Sequence, residues 1–318
     1  MLKLLLLFTF IINLNAIEKL EPKNTFITTG DVQDIKTKNN LLYAATSNGT
    51  VEIYNINTKE KEKTIKIPNI KDFMGDLIAS KIYSIDLIKN KILIVAQGMK
   101  GYRNIYIYEN NNLKKIIDIN KKFYVQKAYF VDNDKIIFAL LSNQIALYNI
   151  NTKKLKYLIQ ISASSFSDFI ISEDKNELAT TDESGIVRKL NIKNGKVIKQ
   201  FKALNLDKVY QLDYKNNTII TAGQDRKASI YTPQSSYKLD FDFLLYSCAL
   251  SSDAKLGAIA FNEKNDVLIF NTYTKEYLYN LTGQDATVTK ILFKTNKEIF
   301  ISSDSNKINH FYFKGVKK

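Results

Sequence analysis

A unit of roughly 40 residues recurs seven times along this chain, and that repetition restricts the fold more than any other feature. Each copy opens with a short, largely apolar segment: Val32-Gln33-Asp34-Ile35, Ile82-Tyr83-Ser84-Ile85, Val125-Gln126-Lys127-Ala128, Phe166-Ser167-Asp168-Phe169, Val209-Tyr210-Gln211-Leu212, Tyr246-Ser247-Cys248-Ala249 and Val288-Thr289-Lys290-Ile291. The first residues lie 50, 43, 41, 43, 37 and 42 positions apart. That is the period of a four-stranded propeller blade, a unit that cannot bury its own apolar faces and must stack on neighbours.

Within each copy, turns rich in Asn, Asp and Lys separate further short strands. Leu41 to Ala45 and Val51 to Asn55 are examples in the first copy, Glu177 to Thr181 and Val187 to Asn191 in the fourth. A short fourth strand ends six copies, as in Lys63-Thr64-Ile65-Lys66-Ile67. The seventh copy stops after its third strand, at Lys314-Gly315. The unassigned segment Asn24-Thr25-Phe26-Ile27-Thr28 is therefore expected to supply the missing outer strand and close the ring, leaving only short, protected edges. The expected fold is all-β: one seven-bladed propeller over residues 17–318, closed by an N-terminal strand. Composition agrees, since 19 Tyr and 18 Phe accompany abundant Ile and Val.

The stretch Thr221-Ala222-Gly223-Gln224-Asp225-Arg226-Lys227-Ala228-Ser229-Ile230-Tyr231 resembles the segment joining the second and third strands of WD40 repeats. The Trp-Asp pair that ends the third strand in that family is replaced by Tyr54-Asn55, Tyr148-Asn149 and Phe270-Asn271. The chain has no Trp, and the family's His before the first strand is missing. The family's His–Ser–Asp–Trp network cannot be built, so the WD40-like resemblance, over residues 24 to 315, rests on the period. In its Lys-rich, Trp-free composition and its Leu20-Glu21-Pro22 opening, the chain also resembles the NapL family of accessory proteins of periplasmic nitrate reductase. That resemblance implies a support role in nitrate respiration and a component of that reductase as protein partner.

Residues 1–16 read as a secretory signal peptide. Lys3 gives a positive start, Leu4 to Ile12 an apolar run, and Asn13-Leu14-Asn15-Ala16 a cleavage site. The run is too short for a membrane span of about 20 residues, and an uncleaved N-terminal helix is the alternative. A soluble, monomeric, periplasmic protein is expected. Cys248 is the only cysteine, so no intrachain disulfide forms. Formal net charge is +14, but nearly all of the excess is scattered Lys; only Arg103, Arg188 and Arg226 are arginines. Without a basic run, the charge does not point to nucleic acid, while an acidic protein or anionic membrane surface stays open.

Motifs for chemistry are scarce. His310 is the only histidine, which excludes multi-histidine metal centres, and no CxxC, GxSxG, P-loop or GxGxxG occurs. No enzyme activity and no cofactor are expected. A calcium site needs only oxygen ligands, so composition leaves it open. Asn-x-Thr sequons such as those at Asn48 and Asn280 read as chance.

Two groups of residues are candidates for binding. Asp34, Ser84, Lys127, Asp168, Gln211, Cys248 and Lys290 occupy equivalent places in the innermost strands and are expected to recur around the channel, either as a ligand ring or as mutually paired polar groups. The second group lies in two insertions, residues 68–80 between the first and second blades and residues 97–103 in the second blade. Phe73, Met74, Leu77, Met99, Tyr102 and Arg103 have the composition of a docking hot spot. The spacing of Phe73, Leu77 and Ala79 suits a short helix, and an insertion folded back into the channel mouth is the bland alternative. Three functions follow: a non-catalytic scaffold for a respiratory oxidoreductase, a small-ligand or metal-dependent enzyme using channel carboxylates such as Asp34 and Asp168, or an envelope assembly factor, for which the lipid-attachment Cys is missing.

Overall fold

The computed structural model describes residues 17–314, so the expected signal peptide lies outside the described residues. Seven antiparallel sheets surround an axis, each a meander whose first strand, a, is innermost and whose last, d, is outermost. Blade 1 runs through Val32–Lys38, Leu41–Thr46, Thr50–Asn55 and Lys61–Lys66, and blade 2 through Ile82–Ile88, Lys91–Gln97, Arg103–Glu109 and Asn112–Ile117. Blade 3 comprises Val125–Phe130, Lys135–Leu140, Gln144–Asn149 and Lys154–Gln160; blade 4, Phe166–Ile171, Glu177–Asp182, Val187–Asn191 and Val197–Phe201. Blade 5 comprises Val209–Lys215, Thr218–Gly223, Lys227–Tyr231 and Ser236–Asp240; blade 6, Cys248–Leu250, Leu256–Ala260, Val267–Asn271 and Tyr277–Leu281. Blade 7 has Val288–Thr295, Glu298–Ser303 and Lys307–Tyr312 from the end of the chain.

Its fourth strand is Asn24–Ile27, antiparallel to Lys307–Tyr312 with Phe26 opposite Ile308 and Asn24 opposite His310. The ring therefore closes as the sequence predicts. Phe26 is buried against Tyr54 of blade 1 and Phe300 of blade 7, with ring centroids 5.6 and 6.2 Å away. An additional strand, Glu18–Leu20, pairs in parallel with Tyr277–Leu281 and makes blade 6 five-stranded.

The apolar core is divided among the seven blade interfaces. One cluster joins Val51, Ile53 and Ile65 of blade 1 to Ile82, Ile94 and Tyr106 of blade 2, and each further pair of neighbours has its own cluster. The interface between blades 7 and 1 closes the set with Phe26, Phe300 and Ile308 against Ile35, Leu42 and Tyr54. Alternating strand residues feed both faces of every sheet, so each blade is buried on both sides.

In place of the WD40 network, individual blades tie their loops with different buried polar groups. Glu52 accepts from Thr29, Thr50 and Tyr54 in blade 1. Asp182 accepts from Arg188, Ser162 and Asn143 at 2.6, 2.7 and 3.1 Å. In blade 5, Asn205 accepts from Thr221 and donates to Asp225.

The insertion before blade 2 is not helical. Ile70–Lys71 and Leu77–Ile78 form a two-stranded hairpin. Asp72 sets its turn: its Oδ1 accepts from Met74 N and Asp76 N at 2.8 and 2.9 Å. Gly75 follows at φ +96°, a conformation that favours glycine. The four-residue spacing of Phe73 and Leu77 mimics a helical face, but this Asx turn and left-handed glycine reverse the chain first.

Candidate functional site

The innermost strands share a local distortion that shapes the channel mouth. In six blades the a–b pairing skips one residue, a β-bulge falling at Gln33, Tyr83, Gln126, Ser167, Tyr210 and Thr289. A bulge re-aims a side chain that regular pleating would direct elsewhere. All six skipped residues line one cavity of about 240 Å³ at the mouth. They are the second residues of the repeated opening segments; the ring that sequence reading selected lies at the third position, one residue on.

That third-position ring is largely brought together. Asp34, Ser84, Lys127, Asp168, Gln211 and Lys290 line the same cavity. Cys248 does not join them; its thiol is buried beside the carbonyl oxygens of Gln211 and Ile220, between blades 5 and 6. The ring residues work as links between blades. Asp34 accepts from Ile85 N of blade 2 at 3.0 Å, Ser84 from Ala128 N of blade 3 at 3.2 Å, and Asp168 from Leu212 N of blade 5 at 3.2 Å. Gln211 accepts from Cys248 N of blade 6 at 3.1 Å.

Two ammonium groups complete the ring. Lys127 Nζ meets Asp168 Oδ1 at 2.7 Å, and Lys290 Nζ lies 3.9 Å from Asp34 Oδ1. Burial alone would lower the Lys127 pKa, but Asp168 and Asp34 outweigh it and hold the group above its ordinary value. One layer deeper, burial lowers Lys36 against the attraction of Asp34 and Asp86, and burial raises Asp86. Asp34 and Asp168 thus have their oxygens engaged by backbone amides and lysines. Among the described residues no group of three His, Cys, Asp or Glu is disposed to hold a metal.

The two insertions meet at their bases, where Ser80 Oγ donates to Gln97 O and Gln97 N to Lys81 O. Phe73, Met74 and Leu77 are 100%, 80% and 70% exposed at the hairpin tip, so the hairpin does not fold into the channel mouth. Tyr102 instead packs on Tyr124, ring centroids 4.6 Å apart, with Met99 partly exposed nearby. Arg103 lays its guanidinium 4.0 Å from the centroid of Tyr83, a bulge residue of the mouth. The six candidate docking residues therefore form two groups, and Arg103 connects one of them to the channel. Across the mouth Tyr210 stacks on Tyr246 at 5.1 Å.

His310 sits on strand c of blade 7, fully buried. It stacks on Phe300 at 4.1 Å with Nε2 2.9 Å from Glu298. Burial lowers its pKa despite Glu298, and the ring packs the closing blade. No helix among the described residues is long and apolar enough to cross a membrane.

No protein-family model matches the chain, and no curated protein matches it. Among solved structures it is similar to the crystal structure of the β-propeller domain of Cps50 (Swd1) from Myceliophteria thermophila. The TM-score is 0.75 at 12% identity, over 92% of this chain and 99% of that one. At this identity the likeness speaks to the fold, a seven-bladed propeller.

Proposed function

We propose that this chain is an exported, non-catalytic propeller that docks a protein partner and serves the periplasmic nitrate reductase system as an accessory. The observation that carries the docking role is the 70–78 hairpin, which holds Phe73, Met74 and Leu77 out in solvent on a turn ordered by its own hydrogen bonds. Exposed apolar side chains on a pre-ordered loop favour association, because little ordering entropy is lost on binding. Met99, Tyr124, Leu141 and Leu206 emerge on the same face of the ring, formed by b–c turns and d–a links, whereas among the described residues turns of the opposite face carry Tyr273 alone. The periplasmic and nitrate assignments rest on the N-terminal apolar segment and on the sequence resemblance.

The test uses purified periplasmic nitrate reductase components and the full-length protein recovered from its native compartment. Binding by the wild-type chain, at least tenfold weaker for Phe73→Ser with Leu77→Ser, supports the reading. Equal binding by the folded double variant discards the docking face, and no binding by the wild type discards the nitrate assignment. N-terminal sequencing that begins at Ile17 is the expected result for an exported chain; a retained Met1 opposes it.

A further inference from the structure

Six carboxylates of the described residues are buried: Asp34, Glu52, Asp168, Asp182, Asp266 and Glu298. Five have a cation within 4 Å, supplied by Lys290, Lys61, Lys127, Arg188 and Lys294 respectively. Asp266, only 7% exposed, has none. Its Oδ2 accepts from Asn262 Nδ2 and Asn280 Nδ2 at 3.0 and 3.2 Å, while its Oδ1 accepts from no described residue. Beside it Asn280 Oδ1 is buried without a donor. The other five carboxylates have the cation that burial of a charge calls for; here the pairing is incomplete.

Both residues line a cleft of about 830 Å³ where the link from blade 5 to blade 6 faces the b–c turn and outer strand of blade 6. Phe241 and Phe261 stand 6.1 Å apart in its wall, and Phe243 adds a third aromatic face. The rim adds Asp240, Asp242 and Glu263 against Lys19 and Lys264, an acidic balance on a chain whose formal net charge is +14. A carboxylate with one oxygen free of donors, flanked by aromatic faces, matches an organic cation: Asp266 neutralises it and the phenyl rings receive its remaining face. The volume exceeds that of one side chain and opens along the outer edge of blade 6.

We propose that this cleft binds a short extended peptide of a partner protein and receives its Arg or Lys side chain at Asp266. The site lies across the ring from the 70–78 hairpin and does not rest on the docking role given to it.

The experiment titrates the full-length protein with a capped hexapeptide of alternating Arg and Ala, and with the same peptide carrying citrulline for Arg, by calorimetry at low ionic strength. The Arg peptide is expected to bind at least tenfold more tightly than the citrulline peptide. Asp266→Asn is expected to weaken binding at least tenfold. Asp242→Lys, a change on the exposed rim that leaves the buried network intact, is expected to do the same and decides the matter if Asp266→Asn does not fold. Phe73→Ser is expected to bind the peptide as the wild type does, which separates this site from partner docking. The proposal is overturned if the wild type does not bind the Arg peptide, if both peptides bind equally, if folded Asp266→Asn binds as the wild type does, or, where Asp266→Asn does not fold, if Asp242→Lys binds as the wild type does.

Discussion

Lys127 and Asp168 meet at 2.7 Å across the interface of blades 3 and 4. Asp168 also receives Phe169 N of its own strand and Leu212 N of blade 5 at 2.9 and 3.2 Å. One carboxylate thereby holds three consecutive blades together. Asp168→Ala leaves the Lys127 ammonium buried and unpaired, and a loss of about 3–5 kcal/mol is expected in urea unfolding. Replacing both residues, as Lys127→Met with Asp168→Leu, is expected to cost less than Asp168→Ala alone, because no isolated charge remains. A double variant that is less stable than the single one contradicts this account.

Glu52 makes stability depend on acidity. Burial pushes its pKa up, but hydrogen bonds from Lys61, Thr29 and Tyr54 outweigh that and hold it at about 2, against an ordinary 4.5. The folded value is the lower one, so the stabilisation is complete above pH 4.5 and is lost as pH falls towards 2. Thr29 lies two residues beyond the closing strand, which places the acid-sensitive contact at the ring's seam. Unfolding free energy of the wild type is expected to fall by about 3 kcal/mol more than that of Glu52→Gln between pH 5 and 2. Parallel pH profiles of the two proteins would falsify the assignment.

The seam also has an apolar part. Phe26 is buried between Tyr54 and Phe300, whereas its neighbour Ile27 is half exposed. Phe26→Ala is expected to cost about 3–5 kcal/mol and Ile27→Ala under about 0.5 kcal/mol. Thermal unfolding of the two variants side by side gives the answer.

Cys248 should resist thiol reagents in the native protein. Its Sγ is buried, and burial raises its pKa well above the ordinary thiol range, with Asp213 and Asp168 adding to the effect. Labelling by a disulfide reagent at pH 8 is expected to proceed at the rate of unfolding and to become immediate in denaturant. Rapid stoichiometric labelling of native protein would place the thiol elsewhere.

Much of this architecture is legible in the sequence because blades repeat. The seven opening segments locate the inner strands, and the missing fourth strand of the last copy points to Phe26 and its neighbours. What escapes is geometry that depends on partners distant along the chain. Glu18–Leu20 is three residues long, and its place follows from the free edge of blade 6, not from any periodicity of its own. Alternation assigns Asp34 and Lys127 to the channel, yet the side chains that line its mouth beside them, such as Tyr83 and Tyr210, arrive there through bulges that alternation does not encode. Phe73 and Leu77 show the opposite failure: their helical spacing is real, but Asp72 and Gly75 carry the decisive signal.

The strand that completes blade 7 lies near the start of the chain, and Thr25 Oγ1 bonds Asn309 Oδ1 across 284 positions. A polypeptide that emerges from a ribosome or a translocase delivers Phe26 first and its berth last. Six blades can assemble while that strand waits unmated, and the final capture is a contact of very high sequence separation, the kind whose closure entropy slows folding. Truncations that remove Lys307–Tyr312 therefore leave two unpaired edges, those of Asn24–Ile27 and Glu298–Ser303, rather than one frayed terminus.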